Sequence, residues 1–265
     1  MDIPEIFSSL SNQILLIGLA TTRVAVAFLM LPIFTGELVP AMVRNSIFVS
    51  IALIAIVMQA AVPVEALHAM DWITLFAKEA VVGVAIGILF GLFLWAFEAA
   101  GQVIDTQVGA TIAQVVDPLT GQQTSLTGEF LGRLANFAFM AAGGLLFLVG
   151  ALIESFVFWP IGEVLPDLSK IGLTIFETEF SRFIMLTLLI ASPILVVLFI
   201  IDGVFGLVNR YSQQLNVFFL SMSLKAVAVV MLLILMISSL VQLLVTELVS
   251  HTGALPDLLQ NVFSM

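Results

Sequence analysis

Hydrophobic and polar positions divide the chain into six long apolar stretches with short polar connections between them. A helix that crosses about 30 Å of hydrocarbon needs roughly 20 residues with few charges. The first stretch runs from Glu5 to Glu37 and has Arg23 as its only internal charge. The other five contain no charge and cover residues 45–64, 80–97, 134–153, 183–201 and 226–246. The pattern predicts an all-α chain with about six hydrophobic helices arranged in hairpins.

Composition assigns these helices to a membrane protein. Hydrophobic residues make up 61% of the 265 residues and charged residues 10%, against about half and a quarter in an average chain. A soluble domain of this length could not bury so much apolar surface. The absence of cysteine excludes disulfides, and a net charge of −10 disfavours nucleic-acid binding. The acidic start, Met1–Glu5, is unlike a secretory signal peptide. We predict a single membrane domain over residues 1–265.

The few charged residues and a glycine repeat lead to further predictions. Eight bases are spread almost one to a connection, so the positive-inside rule assigns no orientation, and we expect that the helices do not all simply span the bilayer. Arg23 is predicted to be the buried partner of an acid, with a role in an ion pathway left open. Gly83, Gly87 and Gly91 form successive GxxxG patterns, which favour close helix contact.

Residues 97–129 form the first segment that is too polar for a lipid-facing helix. The segment contains four glycines, and Asp117-Pro118 followed by Thr120-Gly121 is typical of a turn. One interpretation is a long extramembrane loop. The other is a re-entrant hairpin whose residues 112–116 point into a conduit, because non-helical backbone at membrane depth requires protein or water around it.

Residues 202–225 form the second polar segment. Asp202 and Lys225 bound it, and charged and amide side chains are concentrated between them. Such groups usually face a bundle interior, a cavity or another subunit. A plain cytosolic loop is the alternative, and the residue pattern does not decide between the two.

No pattern of catalytic chemistry stands out. The sequence lacks a phosphate-binding glycine loop and an HExxH motif, and His68 and His251 are isolated. We therefore expect no enzyme activity, no catalytic residue, no metal and no cofactor. A small secondary transporter or channel is the main alternative function. It would require charges converging within the membrane and often two related halves, but no repeat is evident and no acid lies well inside an apolar run.

Two motifs in these polar segments resemble a known family. Ile104-Asp105-x-Gln107-x-Gly109-Ala110 precedes Asp117-Pro118-Leu119-Thr120-Gly121, and Gln214-Leu215-Asn216-Val217-Phe218 precedes Lys225. Both are similar to the signatures of the FliR/SctT family of type III secretion export-gate subunits. Residues 109–121 and 216–222 look closer to the injectisome (SctT) branch than to the flagellar (FliR) branch. Gln213 and Ser223 depart from the pattern, since the family often has proline there.

The resemblance implies a function. Members of this family are multi-pass proteins of the bacterial inner membrane at the base of a secretion apparatus. They form a helical hetero-oligomeric gate with the smaller P/R-type and Q/S-type subunits, and this gate is the entry pore for unfolded substrates. An autocleaving switch protein contacts the same complex from the cytoplasmic side.

The same resemblance, combined with the polar segments, predicts two sets of site residues. In the first set, an apolar constriction would block ions by excluding water. This pore loop or plug comprises Gln107, Gly109, Ile112, Gln114, Val115, Val116, Asp117, Pro118 and Gly121. The second set would make polar contacts within the chain or between subunits of the gate, and comprises Asp202, Arg210, Gln213, Gln214, Asn216 and Lys225.

Overall fold

The regular structure of the described chain is helical throughout. A computed structural model describes residues 3–33, 39–57, 69–109, 125–162, 172–211 and 217–263. Within these ranges the helices are α1 (Ile3–Leu29), α2 (Ala41–Val57), α3 (Ala69–Val108), α4 (Leu126–Ala141), α5 (Gly144–Phe158), α6 (Gly172–Tyr211) and α7 (Val217–Phe263). The predicted all-α fold class is confirmed.

Where the structure describes them, the six apolar stretches lie on helix almost throughout, but the fourth is divided between two helices. α4 ends at Ala141, and the Ala142 N–H still donates to the Ala138 carbonyl at 2.9 Å. Gly143 follows with φ +81°, a conformation that glycine adopts without steric cost, and α5 begins at the next residue. The single helix predicted over 134–153 is therefore wrong, because uniform apolar composition conceals a break made by small residues.

The described helices differ in whether they could cross a membrane by length and composition. Among the described residues, three helical segments are long and apolar enough: Asp71–Val108, Glu177–Tyr211 and Phe219–Ser250. A fourth span results if α4 and α5 count as one broken helix. Within the described residues, Gln13–Leu29 of α1 and Ala41–Val57 of α2 are shorter apolar helices. The expectation that the hydrophobic helices do not all simply span the bilayer stays a prediction.

The first of two compact units comprises Met1–Gly91, Gly143–Glu179 and Val249–Met265. In it α1 packs against α2, with the rings of Phe28 and Phe48 centred 5.3 Å apart. α1 also lies close to α3. A Cβ added to Gly83 would lie 2.6 Å from the Arg23 carbonyl oxygen, and one added to Gly87 would lie 2.8 Å from that of Ala27. The close contact predicted from the GxxxG pattern is thus confirmed at its first two glycines.

The second unit comprises Leu92–Ala142 and Phe180–Leu248. In it the last part of α3 crosses α4 so closely that a Cβ on Gly101 would overlap the backbone of Gly128. α6 and α7 run antiparallel, because two ion pairs join opposite ends of them. These pairs are Arg182–Glu247 and Asp202–Lys225.

Candidate functional site

Three of the predicted site residues, from the two different polar segments, meet at the end of α3. The Gln107 side-chain amide donates to Asp202 Oδ2 at 3.1 Å. Lys225 Nζ donates to the Gln107 carbonyl oxygen at 3.2 Å and forms an ion pair with Asp202. We call Gln107, Asp202 and Lys225 the helix-end cluster. It joins α3, α6 and α7 within the second unit.

The helix-end cluster places a cation beside the partial negative charge at the C-terminus of α3. The last carbonyls of a helix lack intrahelical partners and carry partial negative charge, which a nearby cation stabilises. The last turn of α3 contains no basic residue, so Lys225 supplies the cation from α7. Gly109 then ends the helix with φ +87°, and its N–H donates to the Thr106 carbonyl at 3.2 Å.

The start of α4 is held by the complementary charge. Asp105, on α3, accepts a hydrogen bond from Ser125 Oγ at 2.6 Å and from the Thr127 N–H at 2.9 Å. Ser125 is itself the N-cap of α4 and accepts from the Gly128 N–H at 2.9 Å. A carboxylate is favourable at a helix N-terminus. The chain therefore leaves α3 and returns to α4 at two points that are both fixed by hydrogen bonds.

Helices extend into both polar segments from either side. α3 continues as far as Val108 and α4 begins at Leu126, so within 97–129 the loop or re-entrant hairpin can occupy little more than 110–124. The polar side chains of this segment do not end α3, because they can bond within the helix. The hydroxyl of Thr106, for example, donates to the Gln102 carbonyl one turn earlier at 2.8 Å. Within 202–225, α6 extends to Tyr211 and α7 begins at Val217. A loop over the whole of either segment is therefore wrong.

The other predicted site residues are placed as follows. Gly109 ends α3, and Arg210 lies exposed in the last turn of α6. The remaining positions lie outside the described residues, and their roles stay predictions. These are Ile112, Gln114, Val115, Val116, Asp117, Pro118, Gly121, Gln213, Gln214 and Asn216.

A second group of charges lies within the first unit. Arg23 Nε and Nη2 donate to the two carboxylate oxygens of Glu79 at 2.6 and 3.0 Å, and Lys78 Nζ lies 2.9 Å from Glu79 Oε1. Exposure of the three residues is 0–2%. We call Arg23, Lys78 and Glu79 the buried charge cluster. The prediction that Arg23 pairs with a buried acid is confirmed.

The position of Glu79 corrects a second expectation. We expected no acid well inside an apolar run, but Glu79 lies within the apolar span Asp71–Val108 and is fully buried. The adjacent Lys78-Glu79 resembled the end of an apolar stretch, whereas Arg23 compensates the carboxylate inside the protein. The available signal was Arg23 itself, an isolated charge in an apolar helix that needs an acidic partner from another helix.

The buried charge cluster also binds the chain that follows α5. Arg23 donates to Ser155 Oγ at 3.1 Å and to the Trp159 carbonyl at 2.9 Å. Lys78 Nζ donates to the next two carbonyls, of Pro160 and Ile161, at 3.0 and 2.9 Å. The cations thus receive acceptors from three elements of the unit. Across the described residues, no group of three or more histidine or acidic side chains is placed to hold a metal ion.

Comparison with known proteins identifies the family. The model of bacterial export proteins, family 1, matches residues 14–250. The Yop proteins translocation protein T of Yersinia pestis is 31% identical over 226 residues, 85% of this chain and 87% of that protein. The secretion system apparatus protein SsaT of Salmonella typhimurium is 30% identical over 209 residues (78% and 80%), and the flagellar biosynthetic protein FliR of Bacillus subtilis is 29% identical over 216 residues (81% and 83%).

These matches confirm the resemblance found in the two motifs. They extend over most of the chain, and the slightly higher identities to the secretion-system proteins favour the injectisome branch. The apolar helices are those of a protein embedded in a membrane. The chain belongs to the bacterial export proteins, family 1, the FliR/SctT family of type III secretion export-apparatus components.

Proposed function

We propose that this chain and the smaller P/R-type and Q/S-type gate subunits together form the inner-membrane entry pore for the unfolded substrates of a type III secretion system. Family membership supports the export role. Exposed apolar surface supports assembly with other subunits. In the most apolar windows of α6 and α7, only 33% and 22% of residues are buried within the chain. Such faces need lipid or the helices of partners to cover them.

The helix-end cluster is the observation that carries this proposal. It brings Gln107 of the first family motif together with Asp202 and Lys225 of the second polar segment. The contact lies two residues before Gly109, where the chain leaves α3. Two distant signatures thus converge on the base of the segment that we propose as the plug, which is expected if they share the task of positioning it.

In the proposed mechanism, Ile112, Val115 and Val116 form an apolar constriction in the pore. A narrow apolar passage excludes water and therefore ions, so the pore stays closed until a substrate displaces the segment. Gln107 and Gly109 belong to its base. The other residues of the predicted loop, Gln114, Asp117, Pro118 and Gly121, would set its course.

Replacing Ile112, Val115 and Val116 together with serine is expected to make the resting pore leak. Hydroxyl groups would hold water in the constriction and so lower the barrier to ions. The measurement is potassium efflux or dye uptake in cells that express the complete apparatus. A matched variant carries serine at Val43, Leu53 and Ile54, exposed apolar positions of α2. Tight membranes and normal secretion in the plug variant would refute the constriction.

The second set of site residues is proposed to hold subunits together. Arg210 is exposed at the end of α6, where it can reach a partner, and Gln213, Gln214 and Asn216 follow it in the sequence. Amide groups buried at an interface without partners cost about 1–3 kcal/mol each, so these side chains would favour one arrangement of the gate. The autocleaving switch protein is a further proposed partner, on the cytoplasmic side.

Lys225→Met is expected to abolish secretion although the chain still accumulates, whereas Lys225→Arg should secrete normally. Methionine removes both the ion pair with Asp202 and the bond to the Gln107 carbonyl, and arginine can make both. Exchanging the charges (Asp202→Lys with Lys225→Asp) should restore little, because aspartate at position 225 would face the C-terminus of α3. Secreted and cellular protein are quantified for each variant.

The control for this series is Arg182→Met, which breaks the other ion pair between α6 and α7. It should secrete normally, since that pair lies far along both helices from the end of α3. Equal secretion by the Lys225→Met and Arg182→Met variants would contradict a positioning role for the helix-end cluster.

The match to the Bacillus subtilis flagellar protein favours one alternative, an export gate of a flagellum. Complementation separates the two functions. The chain is expressed in strains that lack either the flagellar subunit or the injectisome subunit, and the export that returns identifies its system.

A further inference from the structure

The contact between α1 and α3 repeats along the helices. The Arg23 carbonyl faces Gly83 and the Ala27 carbonyl faces Gly87, so the two helices run parallel with a constant offset. A third glycine, Gly91, continues the four-residue spacing. Small residues at this spacing allow close approach of the backbones. They do so equally well at each step of the repeat.

The glycine repeat by itself does not determine the register of α1 on α3. A shift of α1 by four residues, about 6 Å at a rise of 1.5 Å per residue, would set the same backbone positions against Gly87 and Gly91. The glycines therefore specify which helix faces are in contact but not how far along each other the helices lie.

The buried charge cluster distinguishes the registers. Arg23 and Glu79 make two hydrogen bonds in one geometry, at 2.6 and 3.0 Å. A one-turn shift would carry the guanidinium about 6 Å away and so separate Arg23 from Glu79, both fully buried. The shift would also remove Arg23 from Ser155 and from the Trp159 carbonyl.

The hydrogen bonds of the cluster agree with a role in setting the position of the helices. Both cations contact Glu79, and both also donate to carbonyls, Arg23 to that of Trp159 and Lys78 to those of Pro160 and Ile161. These carbonyls directly follow the C-terminus of α5, which carries partial negative charge. The cluster is satisfied only when α1, α3 and the end of α5 are all in place.

We propose that Arg23, Lys78 and Glu79 are a register lock, which selects one arrangement of α1 on α3. Well-packed apolar residues often replace a buried ion cluster without loss of stability, so stability alone does not require the cluster. A polar group in an otherwise apolar helix contact can instead exclude shifted registers, as it does in coiled coils.

The test measures the register directly in the full-length, purified chain. Because the protein contains no cysteine, cysteines at Leu29 of α1 and Ile73 of α3 can carry nitroxide labels without further changes. Both positions are more than half exposed. They are separated by several turns along parallel helices, so a one-turn slip changes the distance between the labels by most of 6 Å. Electron–electron double resonance resolves such a difference.

The native chain should give one narrow distance distribution. The triple variant Arg23→Met, Lys78→Met, Glu79→Met should accumulate at the native level and show a second distance displaced by about 5–6 Å. The control, Arg182→Met with Glu247→Met, removes an ion pair of the other unit and should keep the single distance. One unchanged distance in the triple variant would overturn the proposal. Failure of the triple variant to accumulate would also overturn it, since the cluster would then be a stabiliser.

Discussion

Glu79→Gln is expected to destabilise the chain by about 3–5 kcal/mol, the usual cost of removing one partner from a buried ion pair. Glutamine has the shape of glutamate but not its charge. It would remove the negative charge that the guanidinium of Arg23 and the ammonium of Lys78, both buried, now share. The two cations would then repel each other where water cannot screen them. The expected result is a large fall in melting temperature and in the amount of chain in the membrane.

The matched control is Glu247→Gln, which makes the same chemical change in a pair that water reaches. The side chains of Arg182 and Glu247 are 31% and 21% exposed, and solvent screening limits such a pair to about 1 kcal/mol or less. Thermal unfolding of both purified variants in the same detergent gives the comparison. Similar melting temperatures for the two variants would show that Glu79 does not compensate buried charge as described.

Glu79→Gln should lower the amount of chain in the membrane, whereas the triple methionine variant should accumulate at the native level. The single change leaves two buried cations, whereas the triple change removes every charge of the cluster. Recovery of accumulation in the triple variant would therefore assign the damage in Glu79→Gln to uncompensated charge and not to lost packing.

The apolar pattern alone predicts most of the helices. Charge-free runs of about 20 residues leave few other structures for the backbone in an apolar environment, and the described helices follow them. The break at Gly143 is not predictable from that pattern, because small residues are as compatible with close helix packing as with a turn. The extension of α3 to Val108 was missed for the opposite reason. Polar residues suggest the end of a helix, but here a polar side chain bonds within the helix, since Thr106 donates to the Gln102 carbonyl one turn earlier.

The sequence predicts which residues belong to the candidate site, but it does not predict how they contact one another. Gln107, Asp202 and Lys225 were each expected to be functional, and only the fold brings their side chains together at the end of α3. Asp105 was recognised as part of a motif, but its bonds to Ser125 and Thr127 depend on how α4 crosses α3. Contacts over such sequence separations leave no trace in a periodic pattern.

The burial of Glu79 is likewise not predictable from the sequence around it. Lys78 and Glu79 lie next to each other at the start of a charge-free run, which is also where a membrane segment would begin. The partner that makes their burial possible lies in a different helix, 56 residues away in the sequence. The sequence of one helix shows the cost of burying each charge, but it does not show the ion pair with another helix that offsets this cost.

The crossing of α3 and α4 gives the second prediction with a large effect. A Cβ on Gly101 would overlap the backbone of Gly128, which cannot move aside as a flexible side chain could. Gly101→Ala should therefore cost about 1–3 kcal/mol, the usual range for overpacking, and Gly101→Val more. Because the helices must separate there, the hydrogen bonds that Asp105 accepts from Ser125 and Thr127 should weaken as well. Secretion is then expected to fall further than the loss of chain explains.

The same substitution should have the opposite sign at Gly203 of α6. A Cβ there meets no atom within 4 Å, and alanine is favoured over glycine in a helix by about 1 kcal/mol. Gly203→Ala should therefore raise the melting temperature of the purified chain slightly, while Gly101→Ala lowers it. Because the two variants add the same methyl group to helices of the same unit, a fall at both positions would mean that helix propensity and local space do not govern these glycines. A fall at Gly101 alone would establish backbone contact as the reason for glycine at the crossing that anchors both ends of the proposed plug.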